Sequence, residues 1–516
     1  MPPVFIPFDG WSPGGGYFGE GWPVASNLYP GFGSVGRPWR QFSTVGAGVV
    51  DGPMLGSHSH VWAAGVASAA YTPDAQTLFV GSATKLYAVS PSTGAFTDLS
   101  RGGGYAAAGQ PAGWRFATIG NDIWAANGLD AMQRRTNNAG NFANGVVSTF
   151  KPVPRFLAPV REHMVVANLN QAGRFQDEVA WSTDDDATNF DPPAATSISL
   201  AGAKRLTSIP GQITGFLGGQ YGLAFKRSGI FYLEYTGTSQ VLRPEILSET
   251  VGCAFPSSII RTRYGIFFLG QDGFYQIAGL APPVPISPPG VNAFLFGNTF
   301  SVEPTVLSPW QEDTQAEAFT FSGLPVIGWA YRDTVGGGIG SDQVVLYDPS
   351  TQRWGYGDIQ PTQTGAFLSR KGGASLYDSV AGFTYSDGTS KYAHYSGGTS
   401  VGQYQSIDIE LRFRSADLES AGRQGQSMIN WVIPVFSKEA AFSSSAVEPT
   451  LNLDAALDPF QTGFTTEGPR TYAQRDVVSG AYPFQLAGRF FRLRMAIPAA
   501  IFENFHGVWI DQRLLT

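Results

Sequence analysis

Leu86-Tyr87-Ala88-Val89-Ser90-Pro91-Ser92-Thr93-Gly94-Ala95-Phe96 has a counterpart in Val344-Val345-Leu346-Tyr347-Asp348-Pro349-Ser350-Thr351-Gln352-Arg353-Trp354. Each stretch is a short apolar strand, a Pro-Ser-Thr turn and an aromatic that opens a return strand. Proline at the second turn position presets φ, the Ser or Asp before it accepts turn N–H groups, and the aromatic packs back on its neighbour. Two such hairpins in one chain predict a repeated β unit: the outer hairpin of a propeller blade, in which a strand ladder recurs around an axis so that sheet edges stay short. Other short apolar runs bounded by turn residues fit the same unit, among them Leu78-Phe79-Val80-Gly81, Ile123-Trp124-Ala125-Ala126, Met164-Val165-Val166-Ala167, Ile230-Phe231-Tyr232-Leu233 and Ile266-Phe267-Phe268-Leu269. The expected fold is therefore all-β. With roughly 40–50 residues per blade, residues 76–405 hold about six to eight blades of a β-propeller. No Trp-Asp dipeptide marks WD40 blades.

The flanks differ. Residues 1–75 carry Gly14-Gly15-Gly16, Tyr29-Pro30-Gly31 and scattered aromatics, and read as an irregular N-terminal arm with short strands that packs on something else. Beyond residue 405, Ile407, Ile409, Leu411 and Phe413 alternate with Asp408, Glu410, Arg412 and Arg414, and Phe491, Leu493, Met495 and Ile497 alternate with Arg492 and Arg494. A strict period of two describes a strand with one buried face. Residues 406–516 are expected to form a small β-sandwich or barrel, with Ser443 to Thr471 as long loops. Arg412, Arg414, Arg492 and Arg494 share the solvent side of these two strands and are the one basic cluster placed to meet DNA or a neighbouring subunit. Pairing with Asp408 and Glu410 across the strands is the competing reading, because opposite charges on one sheet face stabilise each other.

Composition bounds the function. In 516 residues, 43% are hydrophobic and 14% charged, enough apolar matter for substantial cores. Sixty-four glycines and 35 prolines with 13% aromatics suit short strands and tight turns, not long helices. Thirty-three basic against 40 acidic residues leave a net charge of −7, opposite to the footprint of a protein that grips nucleic acid. The one cysteine, Cys253, excludes an intramolecular disulfide and, among Val251, Ala254 and Phe255, reads as a core thiol. The N-terminus lacks a basic n-region, and the most apolar stretch, Val61 to Tyr71, is shorter than the roughly 20 residues a bilayer span requires. A cytoplasmically made protein without a membrane-spanning segment is expected.

Several motif matches fail on context. Gly31-Phe32-Gly33-Ser34-Val35-Gly36 fits a dinucleotide fingerprint, but prolines at 30 and 38 deny it the flanking strand and helix. Gly398-Thr399-Ser400-Val401-Gly402 fits a nucleophile elbow, and Ser82-Ala83-Thr84-Lys85 fits S-x-x-K, each without the required helix. His58-Ser59-His60 puts two imidazoles on one strand face, which needs a third ligand before it holds zinc. Asp184-Asp185-Asp186, after Trp181-Ser182-Thr183 and before Phe190, approaches the Asp-box hairpin of sialidase-like propellers. That box is itself a turn, although clustered carboxylates also suit a hard cation such as calcium. No catalytic residue, cofactor or metal ligand is assigned.

Thr77-Leu78-Phe79-Val80-Gly81-Ser82-Ala83-Thr84-Lys85-Leu86-Tyr87, Asp98-Leu99-Ser100-Arg101-Gly102-Gly103-Gly104-Tyr105, Trp114-Arg115-Phe116 and Ala126-Asn127-Gly128 follow one another in an order that resembles the propeller of tail nozzle or hub proteins of short-tailed bacteriophages. Val165-Val166-Ala167-Asn168, Val179-Ala180-Trp181-Ser182, Gly270-Gln271-Asp272-Gly273-Phe274-Tyr275 and Gly488-Arg489-Phe490-Phe491-Arg492-Leu493-Arg494 continue the resemblance to near the C-terminus. It implies a structural virion protein and not an enzyme. Six copies would form a ring below the portal and its adaptor, conduct double-stranded DNA during ejection and carry fibres or spikes. A glycan-binding or glycan-hydrolysing propeller is the alternative.

Overall fold

The computed structural model describes residues 3–13, 21–31, 35–39, 42–52, 54–61, 76–90, 93–106, 113–192, 200–237, 241–296, 316–320, 326–331, 341–369, 380–386, 389–395, 407–414, 426–437, 450–457, 464–471, 474–476, 478–497 and 504–515. Both Pro-Ser-Thr stretches are hairpins, although Pro91 and Ser92 themselves lie outside the described residues. Val89 pairs with Phe96 and Tyr347 with Trp354. Gly94 N–H donates to Ser90 O at 2.8 Å and Gln352 N–H to Asp348 O at 2.7 Å, the same turn twice. Both turns close through a left-handed residue, Gly94 at φ 66° and Gln352 at φ 59°. In the second copy Asp348 tightens the turn by accepting from Ser350 N–H at 2.8 Å and Thr351 Oγ1 at 2.9 Å.

Gly94 has a further constraint. A Cβ there would stand 1.9 Å from the carbonyl oxygen of Val45. Gly94→Ala is expected to lower stability by at least about 2 kcal/mol, since backbone must move as well as strain in φ. A urea titration of the variant against wild type reads this directly. An unchanged midpoint would show that the turn and residue 45 do not meet.

Among the described residues, five antiparallel sheets have four strands each, at Ser57–Val61 to Phe96–Asp98, Arg115–Ile119 to Ala143–Asn144, Pro154–Val160 to Gly202–Arg205, Ile213–Leu217 to Leu242–Ser248 and Ile260–Thr262 to Val284–Pro285. A seven-stranded sheet runs from Ala316–Thr320 to Phe42–Val50 and folds two four-strand units into one. Its strand Arg353–Ser369 pairs with Ser341–Asp348 through its first part and with Val380–Ser386 through its last. The leading strands touch in a ring. Ser57–Val61 meets Arg115–Ile119, then Pro154–Val160, Ile213–Leu217, the 3-10 turn Pro256–Ser258, Ala316–Thr320 and Arg353–Ser369, which returns to Ser57–Val61. This is a β-propeller. It closes by pairing distant parts of the chain: Phe42–Val50 lies antiparallel to Thr389–Tyr395, with Phe42 opposite Tyr395 and Val50 opposite Thr389.

The described part of the arm contains short strands, and they belong to two places. Phe42–Val50 and Ser57–Val61 are propeller strands, so the propeller reaches N-terminal of residue 76. Val4–Pro7, Gly21–Ala25 and Val35–Pro38 pair with C-terminal strands, Val4 opposite Ile510, Ala25 opposite Ile409 and Gly36 opposite Phe505, and Leu28–Gly31 pairs with Val35–Pro38. The C-terminal region is two sheets, one ordered 21–25, 407–414, 490–497, 450–456, 465–470, the other built on 504–515 and 426–437. Their inward faces share one core, in which Ile407, Leu411, Phe491 and Leu493 meet Ile429, Val432, Phe505 and Val508. Residues 407–414 alternate buried and open as the period of two requires. The expectation of long loops from 443 to 471 is corrected by the strands Thr450–Ala456 and Thr465–Arg470. The second is an edge strand, where its Gly468-Pro469 dipeptide is tolerated.

The same core runs on into the propeller. Trp11 of the arm packs edge-on against Phe294 at 4.7 Å and tilted against Tyr356 at 4.6 Å, and Trp354 lies 5.0 Å from Phe274 and 4.6 Å from Tyr347. Trp11 Nε1 donates to Pro23 O at 3.1 Å and Trp22 Nε1 to Pro7 O at 3.0 Å, so the buried indoles of the arm keep their hydrogen bonds.

Candidate functional site

The arginine cluster sits on the outer face of the 21–25 sheet. Glu410 is opposite Arg494 and Arg412 opposite Arg492 in the ladder. Two guanidiniums facing each other repel, so the sheet needs carboxylates to hold them. Arg412 Nε donates to Glu410 Oε1 at 2.7 Å on its own strand. Arg492 and Arg494 are held by Asp454, a residue the sequence reading passed over: Arg492 Nε donates to Oδ2 at 2.7 Å and Arg494 to Oδ1 at 3.0 Å. Asp454 is fully buried. Burial raises its pKa, but hydrogen bonds from Thr466, Arg494 and Arg492 outweigh that and hold the carboxyl below its usual range. Its sequence signal was Leu451-Asn452-Leu453-Asp454, another period-two run with the acid on the arginine side. Arg492 also lies 4.4 Å over the Phe464 ring. Arg414 is exposed at the strand's end. These contacts account for Arg412, Arg492 and Arg494 as sheet pairs.

The acidic loop is a turn that satisfies itself. Asp185 takes φ 53°, and Asp186 Oδ1 accepts from Thr188 N–H at 2.9 Å and Thr188 Oγ1 at 2.6 Å. Phe190 is buried and its N–H donates to Ser148 Oγ at 3.1 Å, which anchors the chain after the turn. Among the described residues, no group of three or more His, Cys, Asp or Glu is placed to hold a metal ion. His58 stacks on Phe116 with its Nε2 3.1 Å from Thr118 Oγ1, on the neighbouring sheet. The side chain of His60 and all of 398–402 lie outside the described residues. Ser82 caps a turn, accepting from Lys85 N–H at 3.1 Å and donating to Asp51, and Gly31 and Val35 pair in an antiparallel hairpin with no helix following.

Two groups lie near the propeller axis, one half-buried and one fully buried. Arg115, on the second sheet, reaches across to the turn before the fifth, where its Nη2 donates to Ser257 Oγ at 2.8 Å. A side chain therefore crosses the axis. Cys253 is fully buried beside it, and burial pushes its thiol up to about 12 despite hydrogen bonding to Ser258. A thiol in that state is not a nucleophile at neutral pH. Native protein is expected to show no reaction with a water-soluble disulfide reagent over hours, and one thiol per chain after urea unfolding. Prompt reaction of the folded protein would contradict the burial.

No protein-family model matches the chain, and no curated protein matches it. Solved structures with some likeness are a computationally designed protein, Ika8 (TM-score 0.35, 12% identity, covering 69% of this chain and 99% of that one), YCF48 bound to D1 peptide (0.35, 10%, 70% and 97%) and apo AztD from Citrobacter koseri (0.32, 12%, 63% and 96%). At these scores the likenesses carry no argument about function.

Proposed function

We propose that this chain is a structural virion protein: the subunit of a hexameric tail nozzle that conducts double-stranded DNA and offers docking surface to a head-to-tail adaptor and to fibres or spikes. The reading starts from the resemblance along residues 77–516. The structural observation that supports it is a shared aromatic core in which the propeller and the C-terminal sheets meet, threaded by the N-terminal arm. With Arg115 across the propeller axis, any duplex must pass between copies and not through one. Closed rings of identical subunits provide such a passage. A net charge of −7 suits a conduit, because each phosphate neutralised releases counterions and adds affinity that would hold the moving duplex.

The test is electron microscopy of the chain assembled with its adaptor, together with its mass in solution. Six copies around an open channel support the reading. A chain that never joins the adaptor and cleaves a polysaccharide as a stable monomer overturns it in favour of a glycan-hydrolysing propeller.

A further inference from the structure

Strand Tyr482–Gly488 ends one of the two C-terminal sheets: it pairs with Gln426–Ser437 on one side and, among the described residues, with no strand on the other. The opposite end of that sheet, Leu28–Gly31, packs on the propeller strand Arg353–Ser369. An open edge offers backbone N–H and C=O groups to any strand that arrives. The outer face beside it adds to the attraction, because Trp431 lies opposite Pro483, Ile433 lies opposite Trp509, and Trp509 is 40% exposed. Unpaired backbone next to exposed aromatics invites a second sheet to join.

Three features oppose that joining. Pro483 has no N–H to give. The register with Gln426–Ser437 shifts between Ile429 and Trp431, a bulge that bends the edge strand. The third feature reaches over from the other sheet, whose edge strand Thr465–Arg470 carries Glu467 and Arg470. Gln485 N–H donates to Glu467 Oε2 at 2.8 Å, and Arg470 Nε donates to Pro483 O at 3.0 Å. Arg470 Nη2 also donates to Glu467 Oε1, and its guanidinium lies 5.8 Å over the Phe484 ring. Side-chain exposures of 28% for Arg470 and 24% for Glu467 place both groups against the sheet and not out in water. A carboxylate on one backbone N–H and a guanidinium on a C=O two residues earlier stand in for the acceptor and donor of a neighbouring strand. An incoming strand needs those same two groups and must first displace an ion pair whose members also satisfy each other.

We propose that the Glu467–Arg470 pair is an autoinhibitory cap on the edge 482–488, which stops two copies of this chain from joining edge to edge. A second copy is the occupant because it brings an identical open edge, and two identical edges pair antiparallel about a two-fold axis with each copy making the same contacts. The cap lies within one chain, so it stands or falls apart from the hexameric ring.

Sedimentation of the full-length double variant Glu467→Ala/Arg470→Ala beside wild type tests it, with hydrogen exchange at Gln485 as the second readout. At about 50 μM the variant is expected to run at twice the wild-type mass, whatever that mass is, and to return to it on roughly hundredfold dilution. The Gln485 amide should exchange more slowly in the concentrated variant than in the dilute one, whereas in wild type its exchange should not depend on concentration. A folded variant that keeps the wild-type mass at both concentrations overturns the proposal and leaves the pair as a tie between two sheets. Larger assemblies in which the Gln485 amide gains no protection overturn it as well. If the double variant does not fold, Glu467→Ala, which keeps Arg470 over Phe484, decides by the same two readouts.

Discussion

Removing residues 2–50 is expected to yield a chain that is largely insoluble and, where soluble, unfolds without a cooperative transition. The deletion takes the strand that closes the propeller, Phe42–Val50, and leaves Thr389–Tyr395 as an unpaired edge. It also takes Ile6, Phe8, Trp11, Trp22 and Leu28 out of the shared core, where each is at most 4% exposed. Burying one such side chain is worth about 1.5–3 kcal/mol, so together they rival the roughly 5–15 kcal/mol net stability of a domain. A shorter deletion, residues 2–39, separates the two effects. It keeps the closing strand, so the propeller should remain a folding unit with a lowered transition temperature, while the C-terminal sheets lose their partners. Soluble yield and circular-dichroism melting of both deletions check this. A 2–50 deletion that melts like the full chain would mean that the arm is dispensable and that the propeller closes by other contacts.

What the sequence displayed, and what it hid, follows from the range of each interaction. The hairpins at 86–96 and 344–354 are local, with turn chemistry written in adjacent residues, and both fold as read. The alternation at 407–414 and 490–497 is local too, and its apolar residues face the core. The arm's role was hidden because no local pattern says that Val4 will lie opposite Ile510, or that Phe42 will pair with Tyr395. Its glycines and prolines read as irregular, although strands at sheet edges tolerate them. The same holds for Thr465–Arg470, whose Gly-Pro dipeptide resembled a loop. At the arginine cluster, the sequence offered Asp408 and Glu410 as counter-ions because they are near in number. The sheet brings in Asp454 from a strand that had been taken for a loop. Arg115 was invisible as a special residue: a hydrogen bond across the axis exists only once the strand groups have been arranged in a ring.

Asp454→Ala is expected to lower stability by about 2–4 kcal/mol, because it strips a fully buried carboxylate that holds two guanidiniums and Thr466 Oγ1, the last at 2.7 Å. The range sits below that of a wholly buried pair because Arg492 and Arg494 keep side-chain exposures of 26% and 45%, so water recovers part of their solvation. The contribution depends on pH in a definite sense. The folded pKa of Asp454 lies below its unfolded value of about 3.9, so the carboxylate stabilises the fold fully above that value and the contribution fades as pH falls through the folded pKa. Urea midpoints should therefore separate wild type from Asp454→Asn widely at pH 7 and narrowly near pH 3. A separation that is the same at both values would assign the effect to packing, not charge. The substitution also tests the proposed role in DNA passage. With Asp454 neutral, Arg492 and Arg494 have two uncompensated charges to offer a phosphate backbone. Binding of short duplex DNA by Asp454→Asn should then exceed wild type at low salt, with the salt slope steeper by about two. Wild-type binding that is already steep would place the arginines on DNA despite their carboxylate.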